Sequence, residues 1–446
     1  MAHIATGTGK TATGGHGDVA LASAATEGAP RPDRSEPRRS RNAGRTDRDG
    51  RGRRLGVPPI LSYGFRPFFF AGATYAALAI PAWLAVFLGY FSPSGPFAGS
   101  AWHAHEMLFG YLGAVVAGFI LTAVPNWTGR LPLSGAPLAG LVFLWLTGRL
   151  AASFLADPLA AALLDLAFPA ALAAAVWREV IAGRNIKNAP VAAMLSLFAL
   201  ANLLHHGEAA GLVPDGYAIR LALAVAATLI ALIGGRVTPS FTRNFLARKG
   251  APLPAPFSRL DGLALAATGL SLLAWVLFPL TTATGAALAL AGLLLGLRLS
   301  RWRGASVMRE PIVLVLHAGY LWLAVSLLLL GVSVLSGGAL PETAALHALT
   351  AGAVGTMTLA VMTRASLGHT GRAIVAGTAT RAIYLLVGAG ALLRLAAPLL
   401  PALYLTLVVA GGLLWAGAFA LFALRYGPIL FSSRLGKGTM TGPPAP

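Results

Sequence analysis

The sequence predicts an all-α fold, a polytopic membrane bundle of about twelve transmembrane helices with both termini cytoplasmic. Three observations carry that reading. Of 446 residues, 56% are hydrophobic and only 11% are charged, whereas ordinary soluble domains carry about 25% charged residues. The apolar residues fall in stretches of roughly 20, the length that crosses the hydrocarbon of a bilayer. The charges lie in the gaps between those stretches, and the basic ones gather on one side.

The first segment, residues 1–54, holds 11 Lys/Arg, 6 Asp/Glu and no aromatic side chain. It has too little apolar surface to fold and reads as a disordered basic cytoplasmic tail. Its twin arginine, Arg38-Arg39, is followed by more charge rather than an apolar run, so it does not read as an export signal, and no cleavable signal peptide is visible.

Residues 55–434 form the bundle. The first span covers 68–91, just beyond Arg66, and the second covers 102–124, opening on Trp102-His103-Ala104-His105-Glu106. The third, 134–155, carries Arg149, and the fourth, 158–177, carries Asp165 and is interrupted by Pro169. The fifth, 189–207, closes on Asn202-Leu203-Leu204-His205-His206-Gly207-Glu208, and the sixth covers 216–235, with Pro239 beyond it. The seventh and eighth, 259–278 and 280–298, are separated near Pro279. The ninth, 311–335, contains His317, and the tenth, 342–363, contains His347. The eleventh, 381–400, carries Arg394, and the twelfth covers 402–424. Residues 435–446 read as a short flexible C-terminal tail.

With the N-terminus inside, the inward ends and loops collect twenty Lys/Arg and the outer half receives three, Arg149, Arg220 and Arg394. That asymmetry follows the positive-inside rule and favours an even number of spans. It also accounts for the net charge of +19 without a nucleic-acid partner, because the charge lies in a tail and in short loops rather than on a folded face. The absence of cysteine removes disulfides, iron–sulfur clusters, thiolate zinc sites, covalently attached haem and a cysteine nucleophile together. Any chemistry must therefore come from His, Met, Arg and carboxylates.

The topology turns sequence position into depth. His103 and His105 open the second span, His205 and His206 close the fifth, and His347 enters with the tenth, so five histidines from three spans share the outer leaflet. Ionisable side chains inside a membrane are costly and mark functional sites, and neutral imidazole is the commonest ligand for copper, iron and zinc. Residues at i, i+2 or at i, i+1 point to different helix faces. One member of each pair is then a candidate ligand, while the other serves a second site or a hydrogen bond. An inner tier is thinner: His317, in the inner third of the ninth span, and His369, after the tenth, form a candidate inner pair with Met357 or Met362 nearby. Arg149 and Arg394 lie several residues inside their spans, and a haem propionate is a natural partner for each. Asp157, Asp165, Glu106 and Glu208 are the alternative, structural partners.

Several strings carry a family resemblance: Gly64-Phe65-Arg66-Pro67-Phe68-Phe69, Trp102-His103-Ala104-His105-Glu106-Met107-Leu108-Phe109-Gly110 and Val124-Pro125-Asn126-Trp127-Thr128-Gly129. Others are Leu144-Trp145-Leu146-Thr147-Gly148-Arg149, His347-Ala348-Leu349-Thr350, Met362-Thr363-Arg364 and Gly368-His369-Thr370-Gly371-Arg372. From about residue 60 to 430 the chain resembles the NnrS family. The resemblance implies a bacterial inner-membrane protein of the nitric-oxide response that contains haem b and copper, with nitric oxide or a nitrosyl species as small-molecule ligand. It assigns no ligand set and no mechanism.

Two other classes compete. A haem-copper oxidase or nitric-oxide reductase subunit also has twelve spans and carries HxH and HH pairs, but here the two pairs occur in the opposite order. A secondary transporter without haem would suit two six-span halves, although no motif-level repeat relates the halves.

Overall fold

The structure, a computed structural model, describes residues 56–436. The expected basic tail and nearly all of the expected C-terminal tail lie outside the described residues. Among those described there is no strand, and twelve helices are long and apolar enough to cross a membrane. They are α1 (Phe65–Phe87), α2 (Gly99–Pro125), α3 (Ala136–Phe154), α4 (Pro158–Ala182), α5 (Ile186–Ala209) and α6 (Tyr217–Arg248). The second half comprises α7 (Arg259–Leu277), α8 (Thr282–Ser300), α9 (Pro311–Leu335), α10 (Glu342–His369), α11 (Thr378–Leu399) and α12 (Pro401–Phe431). The all-α polytopic bundle predicted from sequence is therefore the fold.

Local chemistry sets several helix starts. Asp157 caps α4 by accepting from the Ala160 amide at 2.9 Å, and Ser258 with Asp261 forms a capping box at α7. Each satisfies amides that the first helical turn leaves without a partner. Proline occupies the first turns of α4 and α9 and of the α-helical part of α5, which begins at Ala189, where no amide hydrogen is needed. Two helices run well past their apolar limits, α6 to Arg248 and α12 to Phe431, because a helix leaving the hydrocarbon keeps its backbone bonds without apolar side chains. Pro169 and Pro239 lie inside α4 and α6 rather than ending them, while Pro279 does mark a break. Neighbouring helices in a membrane re-satisfy the backbone groups that a proline frees.

Consecutive helices pack side by side, and α12 returns to lie along α1. Arg66 fastens that closure by donating from Nη1 to the Leu430 and Ser432 carbonyls, both at 2.7 Å. Leu78, Leu385 and Leu424 are exposed on a surface that suits lipid. The interior belongs to α2, α10, α6 and α9, with 78, 67, 61 and 61% of their apolar windows buried against 28% for α11.

Three of these inner helices widen into π-helical stretches, over Glu106–Leu112 in α2, Ile230–Gly234 in α6 and Ala348–Val354 in α10. Such stretches are rare and occur often at functional sites. In α6 the Arg298 guanidinium donates to the Ala231 carbonyl at 3.1 Å, while Asp261 at 3.0 Å and the Tyr320 hydroxyl at 2.8 Å hold the arginine in place. Gly235 makes room for it, since a Cβ there would lie 2.6 Å from Nη1.

Candidate metal centre

The site grows from a buried arginine. Arg149 of α3 donates from Nη1 to Glu106 Oε2 of α2 at 2.8 Å and from Nη2 to Asp165 Oδ1 of α4. All three side chains are buried, and a guanidinium fork matches two carboxylates well. Arg149 thus meets the structural carboxylates that the sequence offered as the alternative to a propionate. Tyr75 of α1 also donates to Glu106.

Glycines make this approach feasible. A Cβ at Gly148 would lie 2.9 Å from Asp165 Oδ1, and one at Gly110 would lie 2.8 Å from the Tyr75 ring and 3.0 Å from Glu106 Oε2. Trp145 donates to the Gly110 carbonyl at 2.9 Å. Two of the motif strings, one ending at Gly110 and one at Gly148-Arg149, are therefore the two walls of one cluster.

His105 is fully buried in its centre. Its Nδ1 lies 2.9 Å from Glu106 Oε1, and its Nε2 lies 2.9 Å from Asp165 Oδ2 and 3.0 Å from Asn202 Oδ1. Asn202 of α5 donates to the same Asp165 oxygen at 2.8 Å, and His206 Nε2 approaches it at 3.0 Å. His105, Asp165 and His206 each offer one ligand atom, and these atoms lie within 4.8 Å of one another. It is the one such group of three among the described residues.

His205 joins the same cluster. Its ring lies 5.4 Å from that of His105, its Nε2 is 3.3 Å from the Ala101 carbonyl, and its buried Nδ1 makes no hydrogen bond. His206 thus supplies a ligand atom while His205, its neighbour, makes a hydrogen bond outside that group of three. Phe97, from the segment before α2, packs across His105, His205 and His206 at ring distances of 4.3, 4.7 and 4.8 Å, so both faces of the α5 end meet one surface. Gly95 docks that segment on α3 by donating to the Ser153 carbonyl at 3.0 Å, and its missing Cβ would overlap the Ala152 carbonyl.

The other pair divides more widely. His103 turns away from His105 onto Trp83 of α1, at 4.3 Å between rings. His347 Nδ1 donates to the Thr343 carbonyl at 2.7 Å, and its Nε2 accepts from Arg394 Nη2 at 2.6 Å. Arg394 also lies over Trp83, and Arg220, the third outer arginine, lies over Tyr217.

The inner histidines stand among different neighbours. His317 Nε2 donates to Thr242 Oγ1 at 2.8 Å, because that hydroxyl spends its own hydrogen on the Thr238 carbonyl. His369 packs on Phe65 at 5.4 Å and borders a cavity of about 390 Å³ shared with Trp127, Lys187 and Arg236. The methyl of Met357 sits over Gly234 and Gly319, and Met362 is buried in the core.

Asp165, Asn202 and Phe97 were not singled out as site residues from sequence. Asp165 carried a usable signal, as a carboxylate in mid-span; Phe97 carried none, because its place depends on the fold of a loop. The family model described as NnrS protein matches residues 59–434 of the chain. A search of curated proteins finds no match.

Proposed function

The chain belongs to the NnrS family, and on that premise we propose that it is a multi-pass protein of the bacterial inner membrane. In this reading it binds haem b and copper through the histidines at one end of the bundle and handles nitric oxide or a nitrosylated iron species. Both termini face the cytoplasm and the histidine end faces outward, as the twenty-to-three distribution of Lys/Arg indicates.

The observation that carries the reading is the group of His105, Asp165 and His206 ligand atoms within 4.8 Å, all three residues buried. Imidazole with one carboxylate is a donor set that suits copper and iron. The surroundings suit it too: Glu106 on the far nitrogen of His105 and Asn202 on Asp165 would orient the ligands as outer partners do in metal sites. Arg149 balances charge, and Phe97 closes the group off from water. When bound, copper or haem iron would supply the open coordination position and the change of oxidation state that a diatomic radical requires.

One observation favours a second reading. The cluster closes on itself through hydrogen bonds, with both His105 nitrogens facing carboxylate oxygens. Ionised carboxylates only accept, so a ring donating at both nitrogens carries a proton that the cluster is built to hold. That would suit a proton-coupled secondary transporter. An absorption spectrum and elemental analysis of the purified full-length protein separate the two. The metal reading expects a Soret band and bound copper; a colourless, metal-free protein that moves a solute into vesicles would overturn it.

A further inference from the structure

The inner helices α2 and α10 use one device twice. His105 and His347 each end a short α-helical segment, each precedes a seven-residue π-helical stretch, and each stretch gives way to α-helix at a glycine, Gly113 or Gly355. The sequences agree at a constant offset of 242 residues. His105, Gly110, Gly113, Thr128, Gly129 and Arg130 stand against His347, Gly352, Gly355, Thr370, Gly371 and Arg372. The two helices touch where Tyr111 and Thr358 share a hydrogen bond of 2.5 Å. This corrects the expectation that no motif-level repeat relates the halves, and each copy of the repeat delivers a histidine to the same end of the bundle.

The charge around the two copies differs. His105 lies among Glu106, Asp165 and Arg149. His347 faces Arg394, and among the described residues no carboxylate lies within ion-pair distance of that guanidinium. Because His347 donates from Nδ1 to Thr343, the lone pair is on Nε2, where Arg394 now binds it. His103 has a buried Nδ1 without any partner, and its ring lies on Trp83, over which Arg394 also sits. A group rich in carboxylate suits a bare cation. Two imidazoles with an uncompensated guanidinium and an indole wall suit a flat metal complex that brings its own negative charge.

We infer that the histidines serve two separate sites: His105, Asp165 and His206 hold the bare metal ion, and His103 and His347 are the ligand pair for haem, with Arg394 meeting a propionate. This rests on the haem-and-copper reading above and divides its residues. Arg394 is a positioning residue; its bond to His347 would pass to the propionate when the group enters.

The test measures haem and copper per protein in the purified full-length chain and four variants. His103→Ala and His347→Ala should lower haem occupancy by an order of magnitude or more and leave copper unchanged, and added imidazole should restore the haem spectrum. His206→Ala and Asp165→Asn should lower copper and leave haem unchanged. Arg394→Gln should keep the haem spectrum while weakening haem binding on the order of 10-fold. Haem retained at wild-type level in both His103→Ala and His347→Ala overturns the inference, as does joint loss of both metals in all four variants without imidazole rescue. A wild-type protein holding neither group overturns the reading beneath it, which is a distinguishable result.

Discussion

His206 Nε2 lies 3.0 Å from Asp165 Oδ2, the oxygen that His105 Nε2 also approaches at 2.9 Å. One carboxylate oxygen thus joins helices α2, α4 and α5, while the other is bound to Arg149 of α3. Asp165→Ala should destabilise the protein by about 3–5 kcal/mol, the usual cost of removing one partner of a buried ion pair. Detergent-based unfolding of purified protein checks this, and a change below about 1 kcal/mol would show that the pair is not structural.

Arg149 separates charge from geometry. Its two terminal nitrogens reach Glu106 and Asp165 on different helices, a span that a single ammonium does not reproduce. Arg149→Lys should insert at a reduced level. Arg149→Leu should insert far less, because two buried carboxylates are left without a cation. Equal insertion of Lys, Leu and wild type, measured by immunoblot of washed membranes, would contradict the packing described.

Two glycines of α3 give a matched pair. At Gly148 a Cβ would lie 2.9 Å from Asp165 Oδ1 and 3.1 Å from its Cα, whereas nothing lies within 4 Å at Gly140. Gly148→Ala should cost about 1–3 kcal/mol through overpacking, and Gly140→Ala should be neutral or stabilising by up to about 1 kcal/mol. The comparison is made on unfolding midpoints under one detergent condition, and reversal of the order would sink the close-approach argument.

Topology is tested independently of metal. Reporter fusions after residues 95 and 210 should behave as periplasmic, and those after 250 and 370 as cytoplasmic, given the Lys/Arg excess at the latter end. The opposite pattern would turn the histidine end inward.

Much of this was legible in the sequence, because membrane helices announce themselves by length and apolarity. All twelve spans, the gathering of His103, His105, His205, His206 and His347 at one end, and the pairing options of Arg149 followed from position and charge. The π-helical stretches were not legible, since a shift in backbone hydrogen-bond register leaves no mark in composition. Helical angle separated His103 from His105, and it separated His206, within the ligand group, from His205, which bonds the Ala101 carbonyl. The cover that Phe97, a residue outside the helix, places over both rings was not legible. Asp165 was visible as an intramembrane carboxylate, yet its contacts with two histidines as well as Arg149 depend on the lateral packing of α2, α3, α4 and α5, which hydropathy does not encode.

The central claim is that His105, Asp165 and His206 form a metal site, and electron paramagnetic resonance of the copper-loaded, purified protein tests it most directly. The account predicts a cupric spectrum with superhyperfine splitting from two imidazole nitrogens, reduced to one nitrogen in His206→Ala. A copper spectrum that is identical in wild type, His105→Ala and His206→Ala would contradict it.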